Sequence, residues 1–346
     1  MNNRFDTVRL AAALAVFGAH GVVLYQLTVL EPFRGHSLGA LAVGVFFFVS
    51  GYLVCQSWMR SPSWQVFWRK RMLRIFPGLL VAVTLTVCLL GPWWTTWPLH
   101  DYWRAPATWW HWVNNAFAMA TLQTLPGVFE HNPFARAVNG SLWTIRYELA
   151  MYMLLACAAW LGRGVRWVFP ALAAAMALLW LSAITWPWDA ALQVQLQDSP
   201  WDVLRLRDAG AFGVPFFIGS SFAAYRVRPG HWMGAVAVLG MTLAWGSEAT
   251  VLRQAGVWAL LTCGTFYLAH VGLDAHLPTS RERVDLSYGV YIYAFPIQQA
   301  ATQWCLQQGW PLAGCLALAL VAVLGLAWLS WHVVEHPCIR WVQQRG

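Results

Sequence analysis

The sequence predicts an all-α integral membrane protein with about ten transmembrane helices in one bundle and both termini in the cytoplasm. Of its 346 residues, 59% are hydrophobic and only 10% are charged, and the mean hydropathy is +0.50. A soluble domain carries about 25% charged residues. Many of the 25 Trp residues stand near the ends of apolar runs, where their rings settle at the membrane–water interface. Together these observations indicate a chain that crosses a membrane many times.

The individual helices follow from apolar runs of about 20 residues, the length that crosses the roughly 30 Å hydrocarbon core as a helix. The first run follows a short polar start and lacks a small-residue cleavage site, so it predicts a transmembrane helix and not a removable signal peptide. We expect one transmembrane domain over 1–346 without an appended soluble domain. The predicted spans are 8–30, 38–58, 75–93, 142–161, 166–186, 209–225, 232–246 (the shortest), 254–272, 287–307 and 312–333.

The basic residues indicate the orientation of these helices. The net charge of +8 arises from 22 Lys and Arg against 14 Asp and Glu, and Lys70 is the only lysine among Arg residues scattered between apolar runs. With the N-terminus inside, most of them fall on the cytoplasmic side, as the positive-inside rule favours. The pattern is therefore typical of membrane topology and not of nucleic-acid binding. The seven Cys show no metal-type spacing, and no metal is expected.

The first helix carries two ionisable residues in the apolar stretch "VRLAAALAVFGAH". Arg9 and His20 are about three helical turns and roughly 16 Å apart, so they lie on nearly the same face, with Arg9 at the cytoplasmic rim and His20 near the middle of the membrane. An ionisable side chain at that depth is costly and indicates a function. The alternatives are an Arg anchor that snorkels to the interface and a His that is hydrogen-bonded to a neighbouring helix.

Two further apolar helices carry small or polar residues. In "GVFFFVSGYL", Gly51 is expected to let helices approach closely, and Ser50 can also hydrogen-bond a catalytic partner. In "NGSLWTIRYELAMY", Glu148 lies near the outer end of the fourth span with Tyr152 one turn below it. Glu148 can pair with Arg146 as a structural bridge, or it can polarise a histidine and position a substrate hydroxyl. The sequence leaves both roles open.

A cluster of basic residues precedes the third span in "FWRKRMLRIFPG", namely Arg69, Lys70, Arg71 and Arg74. A positive-inside flank explains them without a further function. Arg71 and Arg74 are spaced i to i+3 on one helical face. That spacing also suits charge-assisted, often bidentate binding of phosphate groups.

The longest connection, 93–141, is predicted to face outside. It is dense in Trp and His, as in "TWPLHDYWRAPATWWHWVNNAF", and shows no obvious secondary structure. A long loop of this kind is often functional. An interfacial aromatic belt is the alternative interpretation.

In this order, the motifs resemble the membrane acyltransferase 3 family, whose bacterial members O-acetylate cell-surface or secreted glycans. The resemblance covers the whole chain, and the joint order of the pieces is more specific than any one of them. The family pattern has Trp-Ser-Leu where this chain has Trp143, Thr144 and Ile145, an exchange that keeps the polar and apolar character. The matching pieces are Arg9 with His20, "FFFVSGYL" at 46–53, "RKRMLRIFPG" at 69–78, "SLWTIRYELAMY" at 141–152, "DLSYGVYIYAFPIQQ" at 285–299 and "VVEHPCIRW" at 333–341.

The resemblance implies a stand-alone O-acyltransferase of the bacterial inner membrane. The implied donor is acetyl-CoA, or another acyl-CoA, from the cytoplasm. The implied acceptor is a sugar hydroxyl of an exopolysaccharide, O-antigen or similar glycan, free or lipid-linked. The residues that the resemblance and the charge pattern assign are Arg9, Arg69, Arg71 and Arg74 for the donor, His20 and Glu148 for catalysis, and Ser50, Tyr152 and Trp143 in support.

The chemistry expected of His20 has two forms that the sequence does not separate. A neutral imidazole can deprotonate the acceptor hydroxyl, since the ordinary pKa of His, near 6.5, suits base catalysis at neutral pH. It can also accept the acyl group transiently. In either case Glu148 is expected to orient the imidazole or the acceptor sugar.

Three rival functions fit some of the same features. A transporter or flippase would also have about ten spans, but such folds often show inverted repeats and broken helices, and we detect no repeat. An acyltransferase of this kind can also act on a small molecule such as a macrolide or a lipid-linked sugar. A structural or sensory membrane protein would require Arg9, His20, Arg71 and Glu148 to be coincidental.

Overall fold

The structure is a computed structural model, and it describes residues 4–28, 31–61, 63–162, 165–186, 188–196, 205–272 and 284–344. Within these ranges the secondary structure is helical apart from three isolated β-bridges, which confirms the predicted all-α class. The helices are α1 (Phe5–Leu24), α2 (Leu38–Arg60), α3 (Trp64–Leu85), α4 (Gly91–Trp94), α5 (Leu99–Arg104), α6 (Pro106–Ala116), α7 (Trp143–Leu161), α8 (Val168–Thr185), α9 (Trp188–Leu196), α10 (Leu206–Ala224), α11 (His231–Gly246), α12 (Thr250–Ala259), α13 (Thr265–Tyr267), α14 (Ser287–Gln308), α15 (Leu312–Ser330) and α16 (His336–Gln344), with π-helical turns at Thr86–Leu90, Leu260–Gly264, Leu268–Gly272 and Trp331–Glu335.

Each predicted span contains helical residues, but the first span was predicted to extend to residue 30, and residues 29 and 30 lie outside the described residues. α1 ends at Leu24 and not near residue 30, because the chain turns at Gln26, whose φ of 52° is left-handed. In the part of the chain that is described, five helical segments are long and apolar enough to cross a membrane, so this is a multi-pass membrane protein. These segments are Phe5–Leu24, Leu38–Arg60, Trp64–Trp94, Val168–Thr185 and Leu312–Trp341.

The long connection at 93–141 contains helices that the sequence analysis did not predict, α5 and α6. Pro106 at the first position of α6 has no N–H to leave unsatisfied, which favours a helix start there. His111, buried at 1% exposure, donates from Nδ1 to the Thr124 carbonyl at 2.9 Å, and Asn115 donates to the Leu122 carbonyl at 2.9 Å. Burial lowers the pKa of His111 to about 4, although its bond to Thr124 acts in the opposite direction. The polar face of α6 therefore orders the segment that follows it.

The chain forms two compact units, each drawn from three separated stretches. Unit 1 comprises Met1–Ala15, Leu30–Phe67 and Tyr147–Arg283. Unit 2 comprises Val16–Val29, Trp68–Arg146 and Val284–Gly346. Helices α1, α3 and α7 contribute residues to both units.

Candidate active site

His20 lies in the second half of α1, which packs against α14 within unit 2. Its ring meets the ring of Phe295 edge-on, with centroids 5.1 Å apart. On either side of His20, Gln298 Nε2 donates to the Phe17 carbonyl at 3.0 Å, and Thr302 Oγ1 lies 2.7 Å from the Tyr25 hydroxyl. These contacts, before, at and after His20, connect the segment that carries His20 to α14.

The imidazole of His20 has an apolar neighbour and a buried nitrogen. Among the described residues, Nδ1 of His20 has no hydrogen-bond partner, although the atom is buried. Buried polar atoms in proteins are nearly always paired, so an exception calls for an explanation such as a catalytic role. This nitrogen can take a proton from, or donate one to, a group that the protein itself does not provide.

Three other predicted site residues meet within unit 1. Ser50 Oγ donates to Glu148 Oε1 at 3.0 Å and lies 2.8 Å from the Tyr152 hydroxyl. The Tyr152 hydroxyl also donates to Glu148 Oε1 through a short bond. The hydroxyl groups of Ser50 and Tyr152 thus lie next to each other, and both bind Oε1 of Glu148. A half-buried carboxylate held in this way has a defined position for acting on a substrate or a neighbouring group.

Gly51, next to Ser50 on α2, allows α2 to pack closely against α10. A Cβ atom at Gly51 would lie 1.9 Å from the carbonyl oxygen of Phe216 in α10, and one at Gly219 would lie 2.3 Å from the carbonyl oxygen of Phe48 in α2. The backbones of α2 and α10 therefore touch at these two glycines, and Ser220 Oγ lies 3.2 Å from the Gly51 carbonyl. This close crossing is the packing role predicted for Gly51.

The basic cluster lies on α3, where Arg69, Arg71 and Arg74 are all half-buried. Arg74 is engaged by two carboxylates of unit 2. Its Nη1 donates to Glu335 Oε2 at 3.0 Å, and its Nη2 donates to Asp285 Oδ2 at 2.6 Å. These ion pairs give Arg74 a structural role, and its predicted contribution to donor binding stays a prediction.

The surroundings of Arg74 contain residues to which the sequence analysis gave no role. Glu335 is 2% exposed and also accepts from Ser330 at 2.9 Å, and Asp285 accepts from Ser287 at 2.5 Å. The guanidinium also lies over the ring of Tyr288, 5.4 Å from its centroid. The available signal was the charge itself, because a carboxylate in a largely apolar segment requires a basic partner.

Trp143 is the first residue of α7 and belongs to unit 2. The hydroxyl of the next residue, Thr144, takes part in a hydrogen-bond chain with α14. Tyr291 donates to the Ser141 carbonyl at 2.8 Å, so Thr144 Oγ1 donates in turn to the Tyr291 hydroxyl. The chain that enters α7 is thereby attached to α14. Thr144 supplies the same hydroxyl that Ser supplies in the family pattern.

The predicted site residues are thus distributed over both units. Unit 2 also contains a second polar residue of α14 that the sequence analysis missed, Gln299, which donates to the carbonyls of Phe134 and Ala137. Among the described residues, no group of three or more His, Cys, Asp or Glu is placed to hold a metal ion. Arg9, Ser50, Glu148 and Tyr152 belong to unit 1, and His20, Arg69, Arg71, Arg74 and Trp143 belong to unit 2.

Comparison with known proteins gives a consistent result. Residues 2–332 match a family described as an acyltransferase domain. The chain is 30% identical over 339 residues to an O-acetyl transferase of Shigella phage Sf6, covering 96% of this chain and 95% of the relative. It is 26% identical over 368 residues to nodulation protein 10 of Rhizobium leguminosarum bv. viciae, covering 98% and 93%. No solved structure matches. The motifs, the helical membrane fold and these matches agree, and the chain belongs to the acyltransferase 3 family of membrane enzymes.

Proposed function

We propose that this acyltransferase moves an acetyl group from cytoplasmic acetyl-CoA to a sugar hydroxyl of a glycan such as an exopolysaccharide or O-antigen. The relative that is named an O-acetyl transferase supports the choice of acetyl group and oxygen acceptor. We place the enzyme in a bacterial inner membrane as one functional domain with ten spans and both termini inside. The excess of Arg on the predicted cytoplasmic side supports this orientation.

The observation that carries the proposal is the buried and, among the described residues, unpartnered Nδ1 of His20. In the proposed reaction, the acceptor hydroxyl gives its proton to His20 as its oxygen bonds to the thioester carbonyl carbon. The carbon–sulfur bond breaks, and coenzyme A leaves as a thiolate that takes up the proton. General base catalysis of this kind typically contributes about 10²–10⁴ in rate.

The remaining residues have supporting roles in this proposal. Arg9, Arg69 and Arg71 bind the anionic nucleotide end of the donor, since guanidinium groups form strong bidentate bonds with phosphate. Arg74 supports them by fixing the middle of α3 through its two ion pairs. Glu148 orients the imidazole or the acceptor, and its hydroxyl partners keep the carboxylate in place.

The test is transfer of labelled acetyl from acetyl-CoA to glycan in vesicles that contain the purified protein. We compare the wild type with His20→Ala and with His332→Ala, a control at an exposed histidine whose Nδ1 bonds the Trp328 carbonyl. Label with the wild type and the control, and none with a normally folded His20→Ala, supports the proposal. Label with all three excludes His20 from the chemistry. No label with the wild type, given glycans from the native host, contradicts acetyl transfer and favours another donor or a transporter.

The same preparation separates the two roles of His20. Incubation with labelled acetyl-CoA without glycan, followed by rapid denaturation at neutral pH, leaves label on the wild-type protein and none on His20→Ala if His20 carries the acyl group. A base mechanism leaves the protein unlabelled while glycan labelling continues. Label that persists on His20→Ala would belong to another residue.

A further inference from the structure

Gln298 lies on the part of α14 that packs against the turn of α1 containing His20, and it carries a second buried polar atom without a hydrogen-bond partner among the described residues. The residue is 1% exposed, and its Nε2 donates to the Phe17 carbonyl at 3.0 Å. This bond fixes the orientation of the side-chain amide, because a flipped amide would place two oxygens against each other. Oε1 must therefore point elsewhere, and among the described residues it is buried without a hydrogen-bond partner.

Gln298 and His20 both lie where α1 and α14 pack against each other. Gln298 touches α1 at two positions that bracket His20, since it bonds Phe17 and lies 3.7 Å from where a Cβ of Gly21 would stand. His20 in turn packs on Phe295, which precedes Gln298 by three residues on the same face of α14. The nitrogen of His20 and the oxygen of Gln298 thus belong to the same small region of the α1–α14 interface.

The chemistry of these two atoms limits what can satisfy them. An amide oxygen accepts only, so Gln298 Oε1 requires a donor. Burial disfavours a charged donor, because an ammonium group would lose its hydration in apolar surroundings. A neutral hydroxyl fits, and a group that carries a second hydroxyl nearby can reach His20 at the same time.

Building on the proposed function, we propose that Gln298 binds the acceptor: its Oε1 accepts a hydrogen bond from a sugar hydroxyl next to the one that reacts at His20. The substrate class is therefore an acceptor with two neighbouring hydroxyls. Gln298 takes no part in bond breaking, since the proton, the acetyl group and the thiolate follow the route already given. Its loss is expected to weaken acceptor binding and not donor binding, because a site built to pair a hydroxyl loses affinity when that partner is removed.

The experiment compares steady-state kinetics of the wild type with Gln298→Met, which keeps the length of the side chain and removes both polar atoms. The acceptor is glycan from host membranes, freed of O-acetyl groups by mild alkali, and the donor is acetyl-CoA. The matched control is Gln303→Met. Gln303 lies on the same helix and also has a buried Oε1 without a partner among the described residues, but it is about 140° around the helix from Gln298.

We expect Gln298→Met to raise KM for the glycan at least tenfold and to leave KM for acetyl-CoA within twofold. Gln303→Met should match the wild type. If Gln298→Met lowers the unfolding temperature but changes neither KM, the residue only connects α14 to Phe17 and the inference is wrong.

A second variant covers the case in which Gln298→Met does not fold. Burial disfavours the charged carboxylate, so the side chain of Gln298→Glu is a neutral acid that can donate its O–H to the Phe17 carbonyl and accept a hydrogen bond at its other oxygen. Its KM for the glycan should therefore stay within threefold of the wild type. A tenfold higher KM for glycan in Gln298→Glu, with normal donor binding, would overturn the assignment of Oε1. Absence of transfer by the wild type would instead overturn the proposed function itself, so the two failures are distinguishable.

Discussion

The guanidinium of Arg74 on α3 lies 3.0 Å from the carboxylate of Glu335, at the end of the π-helical turn that precedes α16. A second carboxylate, Asp285, approaches the same guanidinium at 2.6 Å just before α14 begins. One arginine thus connects three sequence motifs that are far apart along the chain, those at 69–78, 285–299 and 333–341. The side chains of Arg74, Asp285 and Glu335 are 19%, 10% and 2% exposed, so water screens these ion pairs little.

Replacing Arg74 by Gln is expected to lower the free energy of unfolding by about 3–5 kcal/mol, because two poorly solvated carboxylates would lose their partner. The measurement is thermal or denaturant unfolding of the purified protein in detergent. Glu335→Gln should have a smaller effect, since Asp285 continues to pair with Arg74. Equal stability of Arg74→Gln and the wild type would contradict the structural role of Arg74.

Replacing Arg71 by Gln is expected to raise KM for acetyl-CoA about tenfold or more. The physical reason is the loss of a charge-assisted bond to a phosphate, which typically contributes about 1.5–3 kcal/mol. The measurement is initial rate against acetyl-CoA concentration. Arg166→Gln, at an exposed arginine of the turn before α8, is the control and should leave KM unchanged.

The Glu148→Gln variant removes the negative charge of Glu148 and keeps its hydrogen bonds to Ser50 and Tyr152. The amide oxygen still accepts from Ser50 and Tyr152, so the cluster and the unfolding temperature should be kept. Turnover should fall by about 10²-fold or more if the negative charge supports the chemistry, as is usual for a general acid or base partner. Ser50→Ala removes only one donor and should reduce turnover far less. Similar turnover of Glu148→Gln and the wild type would make the cluster purely structural.

Gly51→Ala is expected to destabilise unit 1 strongly. The new methyl group would lie 1.9 Å from the Phe216 carbonyl oxygen, and backbone atoms cannot move aside as a flexible side chain can. Such overpacking typically costs about 1–3 kcal/mol and occasionally more. Unfolding temperature and expression level report the effect. Gly325→Ala is the matched control, since a Cβ at Gly325 would meet nothing within 4 Å, and it should be neutral or slightly stabilising.

Acidification is expected to destabilise the connection after α4 through His111. Burial lowers the pKa of His111 to about 4 in the folded protein, whereas the ordinary value of 6.5 applies to the unfolded chain. Below pH 6.5 the unfolded state therefore binds a proton that the folded state does not, so stability is full above pH 6.5 and declines as the pH falls towards 4. The decline reaches at most about 3 kcal/mol.

The measurement for His111 is the unfolding temperature at pH 7.5 and at pH 5. His111→Gln can still donate to the Thr124 carbonyl, and it does not titrate. Its unfolding temperature should therefore depend less on pH in this range than that of the wild type. An identical pH dependence in both proteins would mean that other groups cause the acid instability.

Several features of the fold and the site were accessible from the sequence. Membrane helices form wherever about 20 apolar residues follow one another, because the backbone polar groups have no water to bind within the hydrocarbon core. This local rule located the helices from α1 to α15 that form the predicted spans. The shorter helices α5 and α6 were missed, since they are too short to give an apolar run of membrane-spanning length. The polar face of α6 binds carbonyls of the later chain.

The sequence by itself determined the fold class, the helix positions, the family, and the residue types that stand out in apolar surroundings, such as His20 and Glu148. Only the tertiary structure decided which of them meet. It paired Glu148 with Ser50 and Tyr152, engaged Arg74 with Asp285 and Glu335, and bonded Gln298 to Phe17, three residues before His20. The physical reason is that apolar burial and helix propensity act on neighbouring residues along the chain, whereas hydrogen bonds and ion pairs depend on which helices pack together.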